Sequence, residues 1–241
     1  MTIQEYFGDW SNIVDLNEAD RLMKKLSVSK ALVCPQLKDV FKAFKLCPFY
    51  NLRVIVLGFD PYNNYRDDKP VATGIAFANS SDTPEESYSP SLAILKESVI
   101  DFTIPHGTVT FDPSLEKWEE QGVLLLNSAL SCVIGRPGSH SLMWRPFMKS
   151  LLISLSRNAS GIVYVLMGSD AQSFEPYINK VNNHIIKTKH PAWYARQKIR
   201  MPSDIWKEIN TILIGQNGYG IEWFKEYKLL NNREDEEVLH E

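Results

Sequence analysis

The chain has few cysteines, and none is placed to carry structure or chemistry. Cys34, Cys47 and Cys132 stand far apart and form no C-x-x-C pair. Neither a disulfide framework nor a zinc site is therefore indicated, and the three read as core thiols. Long apolar runs are also missing. Residues 122–126 and 162–167 are the longest, far short of the roughly 20 residues a membrane span needs, so no transmembrane helix and no membrane partner are expected. The opening Met1-Thr2-Ile3-Gln4-Glu5 lacks a basic segment followed by an apolar one, which does not read as a secretory signal and predicts a cytoplasmic protein. There is no excess of positive charge. A formal net charge of -3 argues against a protein that coats long stretches of nucleic acid, while leaving room for a basic rim around one site. No G-x-x-x-x-G-K-S phosphate loop occurs, and Gly58-Phe59-Asp60 is no dinucleotide fingerprint, which disfavours an α/β nucleotide-binding enzyme of either kind. Internal repeats and low-complexity tracts are absent.

What is present is an ordinary globular composition. With 241 residues, 44% hydrophobic and 23% charged, the chain is long enough for one sizeable core. One domain over 1–230 is expected, followed by an acidic and solvated tail over 231–241. Four short runs rich in β-branched residues and bounded by turn signals predict buried strands at 52–57, 123–126, 162–167 and 184–188. Helical patterns separate them, at 37–44, from Ser89-Pro90 through 98, from Asp112-Pro113 to 122, and at 145–156, 171–181 and 203–213. Alternating strands and helices predict the α/β class: a three-layer α/β/α sandwich around a central, mostly parallel four-stranded sheet.

Ligands of open parallel sheets bind beyond the carboxyl ends of the strands. The predicted strands are followed by Gly58-Phe59-Asp60-Pro61-Tyr62, Asn127-Ser128, Gly168-Ser169-Asp170 and Lys189-His190-Pro191. A carboxylate, a carboxamide, a hydroxyl and an imidazole thus meet at one sheet edge. Taken singly, Asp60 before a proline reads as a turn or cap, Asn127 as a loop amide and His190 as a satisfied loop histidine. Their common position at successive strand ends points to a site.

Those residues carry a resemblance. The stretch from Pro48 through Gly58-Phe59-Asp60-Pro61-Tyr62 to Gly74-Ile75-Ala76-Phe77 resembles the water-activating loop and uracil-stacking segment of the uracil-DNA glycosylase family. The run 119–128, ending Leu124-Leu125-Leu126-Asn127-Ser128, is similar to its uracil-reading strand. Ser89-Pro90-Ser91-Leu92 resembles its proline-rich DNA-contacting loop, Gly168-Ser169-Asp170 its small-residue loop and His190-Pro191 its catalytic histidine loop. The match runs over about 35–224, in family order.

The resemblance implies a metal-free, cofactor-free hydrolase that cuts uracil from single- or double-stranded DNA in base-excision repair. Cleavage of the glycosidic bond builds positive charge on the sugar and negative charge on the departing base. By resemblance, Asp60 stabilises the sugar and orients water, and His190 donates to the uracil oxygen that gains charge. Asn127 reads uracil against cytosine, because a carboxamide both accepts from N3-H and donates to O4. Tyr62 walls off the thymine methyl, Phe77 stacks on the flipped ring, and backbone amides near Phe59 donate to the base. DNA contacts fall to Ser89, Pro90, Ser91, Gly168, Ser169, Trp193, Tyr194 and Arg196. Tyr194 stands at the family's wedge position, and Lys187, Lys189, Arg196, Lys198 and Arg200 supply the basic rim.

The chain also departs from the family pattern. Phe59 replaces a polar residue, and Asn63-Asn64 replaces a His-Gly. The segment between Asp60 and Phe77 is about four residues longer, with Tyr65, Arg66, Asp67, Asp68 and Lys69 in the insertion. Ala192 and Ala195 lack the family's hydroxyls, and the segment Ser139-His140 to Trp144 is one residue short, as in the poxvirus branch, which also serves as a polymerase accessory factor. The resemblance thus implies a monomer with DNA as its substrate and a proteinaceous inhibitor or replication partner as further partners. A weak or inactive homologue, acting as a DNA-binding or replication-accessory module, stays open as the alternative.

Overall fold

The computed structural model describes residues 2–103, 108–224 and 226–228; the tail expected at 231–241 lies outside them. Two helices that hydropathy did not reveal open the chain. In α1 (Ile3–Phe7), Thr2 and Glu5 cap each other reciprocally, and α2 (Leu16–Ser27) starts where the Asp15 side chain accepts from the Glu18 N–H. The helix expected at 37–44 is broken into a 3-10 turn, Leu37–Asp39, and α3 (Lys42–Leu46). The break brings the Asp39 carbonyl against Gly74, whose φ of +90° and missing Cβ admit it. The first central strand follows as β1 (Val54–Gly58).

Ser89 and Pro90 start a helix as predicted, but α4 (Pro90–Thr103) runs past the expected end. The helix expected from Asp112 shrinks to α5 (Glu116–Glu120). Asp112 spends its carboxylate on the Ser114 N–H and hydroxyl, and Leu115 takes a left-handed conformation just before the helix. Next come β2 (Val123–Asn127), α6 (Ser141–Asn158), β3 (Val163–Met167) and α7 (Ser169–Gln172). The helix expected over 171–181 does not continue. A separate 3-10 turn, Glu175–Tyr177, contains Pro176, which has no N–H for an α-helical ladder. After β4 (His184–Thr188) the chain forms α8 (Pro191–Gln197) and α9 (Asp204–Asn217). The stretch of α8 read as a loop; its start is set by His190 as cap and Pro191 in the first turn.

The sheet order is β2-β1-β3-β4, and every neighbouring pair is parallel. β1, β2 and β3 are buried along their whole length, which is why they read as continuous apolar runs. Alternate residues feed two cores. Ile55, Leu57, Leu124, Leu126 and Leu166 face a layer with Trp10, Phe44, Trp144 and Phe147. Val54, Val56, Val123, Leu125 and Val165 face the opposite layer, with Leu92, Leu95 and the tryptophans 118, 206 and 223. Those three rings pack with centroids 4.8 to 5.4 Å apart, in the tilted and edge-on arrangements aromatic quadrupoles favour. The three-layer α/β/α sandwich expected from the sequence is the observed fold.

Candidate active site

The carboxyl end of the sheet is drawn together by backbone contacts between the loops after β1 and β2. The Gly58 carbonyl accepts from the Ser128 N–H at 3.1 Å, and the Phe59 carbonyl accepts from the Ala129 N–H at 2.9 Å and the Ser128 hydroxyl at 2.8 Å. A Cβ on Gly58 would lie 2.6 Å from Asn127 Oδ1 and 2.7 Å from Phe77 Cζ. Only glycine lets both side chains reach this point. Phe77 itself has φ +68°, a conformation costly for a bulky residue that surrounding contacts must hold. One such contact is the Tyr62 hydroxyl, which donates to the Phe77 carbonyl at 2.8 Å.

Together these residues line a cleft of about 450 Å³, part of it open to solvent, whose walls include Asp60, Tyr62, Phe77, Ser91, Asn127 and His190. Asp60 is half-buried and accepts from the Gly138 N–H at 2.6 Å. Burial raises its pKa above the ordinary carboxylate value; the Gly138 N–H opposes that rise and the nearby Asp170 adds to it. For His190, which lines the same cleft, burial first and the Arg196 charge second push the pKa down to about 4. Its Nδ1 accepts from the Ala192 N–H at 3.2 Å, so in the neutral ring the proton sits on Nε2. The ring centroids of His190 and Phe77 are 5.6 Å apart. Gly168, with φ +91°, packs beneath the histidine: a Cβ there would lie 3.0 Å from His190 Cβ. The cleft therefore brings a carboxylate, a neutral N–H donor, a carboxamide and an aromatic ring into one lining.

Among the other residues singled out in the sequence, Pro90 and Ser169 are exposed near the cleft, Arg196 is exposed on α8, and Trp193 is half-buried with Lys189 Nζ 5.8 Å from its ring centre. Two expectations need correction. Ser89 does not offer its hydroxyl outward: it is buried and exchanges hydrogen bonds with Asn79, both at 2.8 Å. Tyr194 does not stand at the surface as a wedge. It is 7% exposed, belongs to the core that α8 shares with α4, and its hydroxyl meets Thr188 Oγ1 at 3.0 Å. The Phe59 side chain lies against Gly138, which leaves the role expected of the backbone amides here unaffected. The insertion forms a hairpin in which Tyr65–Arg66 pairs with Lys69–Pro70. Asp67 and Asp68 both have positive φ, as a two-residue primed turn requires. Arg66 ties the hairpin to the Ser87 carbonyl at 2.8 Å. Sequence reasoning passed over Gly138; the pair Gly135 and Gly138 in one short turn was the signal available.

A parallel sheet covered on both sides, with a carboxylate, a carboxamide and a neutral imidazole lining one cleft at its carboxyl end, defines an α/β protein with a polar ligand cleft. Comparison with known proteins gives the family. The model of the uracil DNA glycosylase superfamily matches residues 44–214. The chain is similar to the uracil-DNA glycosylase of Vibrio campbellii, with 32% identity over 91% of this chain and 90% of that protein. It is similar also to that of Coxiella burnetii, with 32% identity over 95% of this chain and 96% of that protein. This chain belongs to the uracil DNA glycosylase superfamily. Among solved structures, mimivirus uracil-DNA glycosylase superposes with a TM-score of 0.74 at 22% identity, covering 92% of this chain and 86% of that one. A mimivirus UNG variant in complex with UGI gives 0.73 at 21% identity, covering 92% of this chain and 88% of that one.

Among the described residues no group of His, Cys, Asp and Glu is arranged to hold a metal, and no helix is long and apolar enough to cross a membrane.

Proposed function

We propose that this protein releases uracil from DNA by hydrolysing the bond between the base and its deoxyribose. The observation that carries the reading is that one cleft is lined both by Asp60, held by the Gly138 N–H, and by His190, whose neutral ring keeps its proton on Nε2. As the glycosidic bond breaks, negative charge grows on the uracil oxygen and positive charge on the sugar. The His190 Nε2–H donates to the first and Asp60 stabilises the second while orienting the attacking water. A neutral donor suits this task, because it stabilises a developing oxyanion without first giving up its proton.

Recognition follows from the same walls. Asn127 Oδ1 accepts from uracil N3-H and its amide donates to O4, a pattern cytosine reverses. The Tyr62 ring occupies the space a C5 methyl needs, and Phe77 stacks on the base once it has left the helix. Pro90, Gly168, Ser169, Trp193 and Arg196 contact the flanking DNA, whereas Ser91, expected beside them, is buried and lines the cleft instead. The mimivirus protein is seen in complex with UGI, which supports a proteinaceous inhibitor as a partner of this chain.

The test is release of free uracil from a single-stranded oligonucleotide carrying one deoxyuridine, with chelator present. Release by the wild type and its loss in Asp60→Asn, with binding kept, is the expected result. Tight binding without release would overturn the enzymatic reading in favour of a DNA-binding module.

A further inference from the structure

The family's polar residue before the catalytic aspartate is Phe59 here, and this ring has a definite partner. The Phe59 backbone is pinned through its carbonyl by Ala129 and Ser128, and its ring lies over the turn at 135–139. A Cβ built on Gly138 would stand 3.0 Å from Phe59 Cζ and 3.7 Å from Cε1, and Gly138 has φ +73°. Glycine is thus required twice, by conformation and by the close approach of the ring. The ends of the turn are tied elsewhere: the Gly135 N–H donates to the Asn63 carbonyl at 2.8 Å, the Val133 N–H to the Ser139 hydroxyl at 2.8 Å, and the Ser141 N–H to the Gly138 carbonyl at 3.0 Å. Between those ties, the Gly138 N–H points at Asp60 Oδ2, 2.6 Å away.

We propose that Phe59 is a positioning residue: its ring holds the 135–139 turn in the place where the Gly138 N–H fixes the Asp60 carboxylate. An apolar contact here does indirectly what a polar side chain would do by bonding. The other titratable groups facing Asp60 are Asp170 at the start of α7, Cys132 beneath the loop and His190 across the cleft. None of them is a hydrogen-bond donor to the carboxylate among the described contacts; its ionised form is favoured first by the Gly138 N–H and less by the backbone N–H of Asp60 itself, and only the former depends on the 135–139 turn. The inference rests on the proposed activity only for its consequence on rate.

The experiment follows the titration of the Asp60 carboxyl by carbon NMR in the free protein, which needs no turnover, alongside the pH profile of single-turnover uracil release. In Phe59→Ala the Asp60 midpoint is expected to rise by about one pH unit, the scale of one charge-assisted hydrogen bond. The acid limb of the rate profile should move with it and the plateau fall roughly tenfold. Phe59→Leu, which refills most of the contact, should return both toward wild type. An unchanged Asp60 midpoint in Phe59→Ala, or a slower rate with an unmoved acid limb, overturns the proposal. If Phe59→Ala does not fold, Gly138→Ala presses a methyl onto the ring and carries the same expected rise and the same overturning result. A shifted midpoint in a protein that releases no uracil would sustain the positioning role and sink the activity reading.

Discussion

The hydroxyl of Tyr62 donates to the main-chain carbonyl of Phe77 at 2.8 Å, so the residue proposed to exclude thymine also holds the residue proposed to stack on uracil. The bond steadies a left-handed phenylalanine that would otherwise relax. Two substitutions separate these duties. Tyr62→Phe keeps the wall and removes the bond; uracil release should slow roughly tenfold with thymine still refused. Tyr62→Ala removes both, and thymine release should become measurable. Continued refusal of thymine by Tyr62→Ala would mean another wall excludes the methyl.

Asn127 stands at the end of an edge strand, 9% exposed, with Gly58 leaving it room. Asn127→Asp replaces a donor with a second acceptor. Uracil release should fall by about 10²-fold or more, because a buried acceptor then faces the O4 of uracil. Cytosine release, measured on a deoxycytidine oligonucleotide, should become detectable and lag uracil release by less than in the wild type. An unchanged ratio would remove Asn127 from base discrimination.

Acid pH should act on rate and stability through different groups. His190, at about 4, stays neutral over the range in which an ordinary histidine titrates, so the rate profile should show no inflection near 6.5 and its acid limb should follow Asp60. For stability the depressed His190 value means that the unfolded chain binds the proton first. Its contribution is intact above about 6.5 and is lost as pH falls toward about 4. Asp60, raised by burial, works the other way: its contribution is present below the ordinary carboxylate value and is lost as pH rises through the raised one. Thermal melts of His190→Gln should therefore decline less steeply than wild type between pH 6.5 and 4. Parallel declines would show that His190 is not buried neutral.

Gly168→Ala tests how the histidine is held. The added methyl meets His190 Cβ at 3.0 Å and the backbone there has φ +91°, so the ring must move or the loop must give. The single-turnover rate should drop about 10- to 100-fold, with DNA affinity changed much less, since a displacement near 1 Å is enough for such a loss. A wild-type rate would show the loop has slack.

The strand ends were legible because buried parallel strands are continuous apolar runs, and the chemistry follows each run directly in sequence. Asp60, Asn127 and His190 could be found in this way and do line one cleft. Orientation was not legible. Whether Tyr194 faces DNA or the core is decided by α8, which the Pro191 start and the His190 cap create, and by a partner hydroxyl on Thr188. Ser89 reads as a DNA contact in sequence, but Asn79, ten residues earlier, donates to its hydroxyl and keeps it inside. The two N-terminal helices rest on side-chain caps at Thr2 and Asp15, which short-range hydropathy does not register. Gly138 reaches Asp60 from 78 residues away, a pairing that only the assembled loops bring about.

The strand order has a mechanical consequence. Asn127 ends β2 and His190 follows β4, the two margins of a four-strand sheet. At about 4.8 Å per strand spacing those margins lie roughly 14 Å apart at the level of the sheet, yet both side chains enter one cleft. A base lodged between them would therefore act as a cross-brace, adding a direct link between two margins that the inner strands separate. Occupancy would stiffen the whole width of the sheet, so that hydrogen exchange slows in β4 as well as in the loops that touch the base.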